Sequence, residues 1–84
     1  MFHKWTVLED IIVCAYAIAR EDDPKTIKRL SAIMGIGEGR IAYRMSNFRK
    51  LAQGTNPDWH YSRQERRVFD WVSGNRALKL KTLL

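Results

Sequence analysis

Five polar side chains recur along one stretch at helical spacing: Arg40, Tyr43, Arg44, Asn47 and Lys50. Residues three, four and seven apart share a helix face. Such a set suits one kind of chemistry, the reading of a nucleic acid. Guanidinium groups fork onto guanine edges or phosphates, a carboxamide pairs with an adenine edge, and ammonium groups hold phosphates. The spacing offers Asn47 either an adenine edge or a neighbouring loop, and Arg40 and Arg44 either guanine and phosphate or solvent. Arg49 and Lys50 fall nearer the backbone, and Tyr43 is placed to donate to a phosphate or to stack. Ile41, Met45, Phe48 and Leu51 recur opposite them and are expected to face inward.

Helices must hold these groups. A first helix is expected over 7–20, with Thr6 as its cap and Glu9 completing a capping box. Leu8, Ile11, Ile12, Ala15, Ile18 and Ala19 form its apolar stripe, and Trp5 closes one end of the core. A second helix starts at Asp23-Pro24, buries Ile27, Leu30, Ile33 and Met34, and stops at Gly35. The turn 35–38 leads into a third helix over 38–52, where Gly39 either admits a close backbone or frays. Residues 53–57 read as a loop, and Trp59 and Tyr61 fold back on the core. Ser62 and Glu65 make a second capping box for a fourth helix that buries Val68, Phe69 and Val72 and ends at Gly74-Asn75. In the tail, residues 76–84, Leu78, Leu80, Leu83 and Leu84 leave three options: packing, pairing with another subunit, or continuation of the chain.

The 84 residues make one all-α domain, 1–84, with a core over about 5–75 and a helix-turn-helix at its centre. Its net charge of +6 is unevenly spread. Residues 1–23 sum to −3, whereas residues 24–84 hold thirteen basic against four acidic groups, or +9. A polyanion is the natural partner for that field. Arg63, Arg66, Arg67, Arg76, Lys79 and Lys81 form a second basic group. Arg63 and Arg67 share a face and either follow a further stretch of phosphates or are solvated.

Catalysis has little support. The single cysteine, Cys14, excludes an internal disulfide and a cysteine zinc cluster, and it is expected to be a small core thiol. His3 and His60 have no metal-ligand neighbours at useful spacing. The glycines of 35–39 follow no strand, so they are no nucleotide loop. No signal peptide or membrane span is visible, which predicts a cytoplasmic, nucleoid-associated protein without cofactor or metal.

Helix-turn-helix spacing is met by Leu30-Ser31, Gly35, Ile36 and Ile41. One apolar slot of the bacterial-repressor pattern falls on Arg44, and Met45 takes the inner position. That rotation resembles the longer third helix of homeodomain-like and Myb-like units. Trp5-Thr6 followed by Glu9-Asp10 resembles the opening of a Myb/SANT repeat, although no tryptophan lies between Trp5 and Trp59. Arg44-Met45-Ser46-Asn47-Phe48, Leu51, a glycine loop, then Ser62, Arg66, Val68 and Phe69 resemble a helical region N-terminal to HNH-type endonuclease domains. This second resemblance implies DNA targeting without the nuclease, in a phage, mobile-element or restriction-related setting.

The chain is therefore expected to read double-stranded DNA as a regulator rather than an enzyme, through Arg40, Tyr43, Arg44, Asn47, Arg49, Lys50, Arg63 and Arg67. The tail would supply any homodimer contact. The alternative is a small interaction module, a phage-type inhibitor or adaptor, that docks on an acidic protein surface.

Overall fold

Local chemistry starts each helix. In a computed structural model, which describes residues 3–54 and 61–74, the first helix is α1, Val7–Ile18. The Thr6 hydroxyl accepts from the Glu9 N–H at 3.1 Å, and the Glu9 carboxylate accepts from the Thr6 N–H at 2.8 Å. Partial burial pushes the Glu9 pKa up. The Thr6 hydrogen bonds and His3 outweigh it and hold the carboxyl below its ordinary value. α1 stops before residue 20 because Arg20 turns left-handed, at φ 61°. The Glu21 N–H then bonds the Tyr16 carbonyl at 2.9 Å and the Arg20 N–H bonds that of Ala17 at 3.1 Å. This is a Schellman ending with arginine where glycine is usual.

The stripe expected on α1 holds at Ile12 and Ala15, which are buried, and at Ile11 and Ile18, which are half-buried, and is corrected at its edges. Its innermost line is Asp10, Val13, Cys14 and Ala17, while Leu8 is 63% exposed and Ala19 is exposed too. α1 packs against two other helices, so most of its circumference is covered.

α2 spans Pro24–Met34. Asp23 precedes it but caps no backbone N–H; its carboxylate accepts instead from the Thr26 hydroxyl at 2.6 Å. That hydrogen bond is the main reason its pKa is lowered. Leu30 is buried, Ile27 and Met34 are half-buried, and Ile33 is exposed, contrary to expectation. α2 packs chiefly on one neighbour and so buries only a narrow stripe. Gly35 closes it at φ 69°, a conformation glycine adopts cheaply. The Ser31 hydroxyl donates to the Ile36 carbonyl at 2.6 Å and ties the helix to the turn. Ile36 is buried beneath.

α3 spans Glu38–Gln53 and α4 spans Arg63–Gly74. Ile41, Met45 and Phe48 of α3 are wholly buried and Leu51 is half-buried, as their spacing predicts. Burial of a Phe side chain contributes roughly 1.5–3 kcal/mol, so Phe48 is a principal anchor. The second capping box forms as well: the Glu65 N–H donates to the Ser62 hydroxyl at 3.1 Å, and the Ser62 N–H to the Glu65 carboxylate at 2.9 Å. Val68 and Val72 are buried and Phe69 is half-buried.

The domain is all-α. α1 is the central helix, packed on α3 and α4; α2 packs on α3, and α3 touches α4 more lightly. Among the described residues no helix is long and apolar enough to cross a membrane. The expectations for Trp59, His60 and the tail 76–84 lie outside the described residues.

Candidate nucleic-acid interface

α3 presents two different faces of polar residues. Arg40 and Tyr43 are exposed, Tyr43 by 61%, on the half of the helix nearest the α2–α3 turn. Lys50 is half-buried further along. Arg40 and Tyr43 remain at the surface, as the spacing predicts, and Lys50 does so only in part.

Arg44 and Asn47 do not, and the reading face expected for them is corrected. The Arg44 guanidinium donates from Nε to Asp10 Oδ1 at 2.7 Å and from Nη2 to Asp10 Oδ2 at 2.8 Å. Its Nη1 lies 3.3 Å from Glu65 Oε1, and its plane sits over the Trp5 ring at 5.1 Å. Asn47, 4% exposed, donates from Nδ2 to Glu65 Oε2 at 2.9 Å. Gln64 Nε2 completes the arrangement by donating to Asp10 Oδ2 at 2.6 Å and to the Trp5 carbonyl at 3.0 Å. Two buried carboxylates thus share one guanidinium and several neutral donors. Among the described residues no buried side-chain nitrogen or oxygen lacks a partner.

The electrostatics follow from the geometry. Burial pulls the Arg44 pKa down, but the Asp10 hydrogen bonds and charge, then the Glu65 charge, raise it overall. An arginine enclosed in this way cannot fork onto a base without abandoning Asp10. Leaving a buried carboxylate unpaired costs several kcal/mol, more than the ~1–3 kcal/mol a base contact returns.

Arg49 is also engaged: its Nη1 lies 2.6 Å from Asp22 Oδ2 and fastens α3 to the segment between α1 and α2. Half-exposed, this guanidinium is a tether first. Arg63 and Arg67 are exposed on α4, not on the α2–α3 pair. Arg66 stacks over the Tyr61 ring at 5.3 Å.

The residue pattern concealed two groups. Lys25, Lys28 and Arg29 are exposed along one side of α2, the positions left over once Ile27, Leu30 and Met34 turn inward. Asp10, Gln64 and Glu65 form the polar interior, and nothing local distinguishes them from surface residues. Residues 24–54 carry one carboxylate, Glu38, against seven basic groups. Gly39 is exposed, and a Cβ there would meet nothing within 4 Å.

Among the described residues no three of His, Cys, Asp and Glu converge to hold a metal ion. Cys14 is buried, and its pKa is pushed up to about 12, first by burial and then by the Asp10 charge. No protein-family model, curated protein or solved structure matches the chain.

Proposed function

We propose that the chain is a DNA-binding, non-catalytic regulator that meets the duplex with the α2–turn–α3 pair acting as a helix-turn-helix. The first half of α3 enters the major groove with Arg40 and Tyr43 foremost. Lys25, Lys28 and Arg29 of α2 hold phosphates on one flank, and Lys50 holds them on the other. One observation carries the reading: with Arg44 and Arg49 turned to Asp10 and Asp22, exposed cations still line α2 and the start of α3, and residues 24–54 hold a single carboxylate, Glu38, with Glu21 and Asp23 confined to the entry of α2. The open surface at Gly39 supports it, because a backbone or base edge can approach there without a Cβ in the way. The buried network makes the platform rigid, which favours a defined register on the duplex.

The test is a fluorescence-anisotropy titration against a selected random duplex library at two salt concentrations. Roughly 4–6 phosphate contacts give a log–log salt slope of about −4 to −5. Arg40→Ala should lower sequence preference by ~1–3 kcal/mol, whereas Lys28→Ala should weaken all sequences alike and reduce the slope by about 1. Absence of binding at both salts, or wild-type affinity in Arg40→Ala and Lys28→Ala together, rejects the reading.

A further inference from the structure

The α1 and α4 pair carries a different kind of surface. Between α1 and α4 an open, mainly apolar groove of about 500 Å³ is lined by Val7, Ile11, Gln64, Arg67, Val68 and Trp71. Val7 is 54% and Trp71 52% exposed. An exposed tryptophan at the lip of an apolar valley between two helices is an unusual use of surface in a monomer.

We propose that this groove binds an amphipathic helix of a partner protein, with apolar residues along one face and carboxylates flanking them. The apolar ridge seats between Val7, Ile11, Val68 and Trp71, and the carboxylates pair with Arg67 in the lining and Arg63 one turn earlier. Shape supports a helix, because a valley between two packed helices receives a third at ordinary interhelical distance. Charge selects its flanks. Arg67 is the one charged residue in the described lining, with exposed Arg63 one turn before it on α4 and exposed Asp70 one turn after. A second copy would bring the same arginines against them. Residues 75–84 would bring Arg76, Lys79 and Lys81 and no carboxylate. Among the described residues the exposed apolar side chains of the lining, Val7 and Trp71, also fall short of the ~800 Å² per partner of an ordinary dimer face. The groove is lined by residues of α1 and α4 and uses none of the residues on which the DNA reading rests.

The full-length chain tests this with two designed helical peptides of about 18 residues. Both carry leucines along one face; one has glutamate flanks and the other lysine flanks. Amide and indole resonances are followed on titration. The glutamate peptide should shift Val7, Ile11, Val68 and the Trp71 indole, with the lysine peptide about tenfold weaker or worse. Trp71→Ala should cost about tenfold or more. Arg63→Glu with Arg67→Glu should reverse the peptide preference. All three side chains are exposed, so unchanged circular dichroism and melting separate lost docking from lost fold. Equal affinity for both peptides, or shifts away from the groove, overturns the proposal. Groove shifts that depend on protein concentration alone would assign the face to a second copy. Groove shifts on truncation after Gly74 would assign it to the chain's own tail, and either result also overturns the proposal. Loss of DNA binding with the peptide response intact would touch only the DNA reading.

Discussion

Arg44 and Asp10 meet through two parallel hydrogen bonds, at 2.7 and 2.8 Å, with the carboxylate wholly buried. The pair joins the middle of α3 to the first turn of α1. Its removal should therefore register as stability before it registers as binding.

Arg44→Ala or Asp10→Ala should each lower unfolding free energy by about 3–5 kcal/mol, because each leaves a buried charge without its partner. Arg44→Lys should recover only part of this, since an ammonium lacks the planar fork. Asp10→Leu with Arg44→Met should lie closer to wild type than either alanine variant. Urea unfolding measures all four. An Arg44→Ala chain of unchanged stability that lost DNA affinity would restore Arg44 to the reading face.

Glu65 has two duties, as a capping-box partner of Ser62 and as an acceptor for Asn47 and Arg44. Ser62→Ala removes only the cap and should cost about 1 kcal/mol. Glu65→Ala should cost about 2–4 kcal/mol, because it also removes the buried acceptor of the Asn47 amide and one of the two carboxylates facing Arg44. Equal costs in thermal melts would mean that the interior contacts contribute little.

Cys14 should resist alkylation by iodoacetamide at neutral pH in the folded chain and react once the chain unfolds. Its folded pKa of about 12 lies above the ordinary thiol value. The stability it contributes is therefore complete below the unfolded pKa, near ~8.5. It is lost as pH rises towards 12. The slope is about 1.4 kcal/mol per pH unit while only the unfolded thiol ionises. Cys14→Ala should remove this component of the alkaline slope, as read by urea midpoints between about pH 8 and 11.

Gly39 sits inside the first turn of α3 with open space where a side chain would project. Gly39→Ala should stabilise the fold by about 0.5–1 kcal/mol. If the duplex approaches there, the same variant loses DNA affinity, a separation of stability from binding that melting and anisotropy report together.

Arg20 holds a left-handed backbone with a Cβ attached. Arg20→Gly should raise the unfolding free energy by about 0.5–1 kcal/mol in urea. A loss of similar size would mean that the arginine side chain gains more from its surroundings than the backbone strain costs.

The amino-acid sequence by itself determined where the helices begin and where α2 stops, but not the early end of α1 at Ile18. Thr6 with Glu9, Ser62 with Glu65, Pro24 and Gly35 act on neighbours within a few residues, so their effect is legible without a fold. It also determined the inner line of α3, because Ile41, Met45 and Phe48 have no stable alternative to burial. The tertiary structure alone decided which charges are surface and which are interior. At ~100° per residue Arg44 falls inside the arc spanned by Leu51, Phe48 and Ile41. The apolar slot that the repressor pattern expects at Arg44 pointed the same way. An arginine can turn inward only where a carboxylate meets it, and Asp10 lies 34 residues away in the chain. The same holds for Asn47, whose acceptor on Glu65 is 18 residues distant, and for Leu8 and Ile33, left outside by the number of helices packed around α1 and α2. Capping and turn chemistry are local and short-ranged. The pairing of buried charges depends on which helices meet, and that is set only when the core closes.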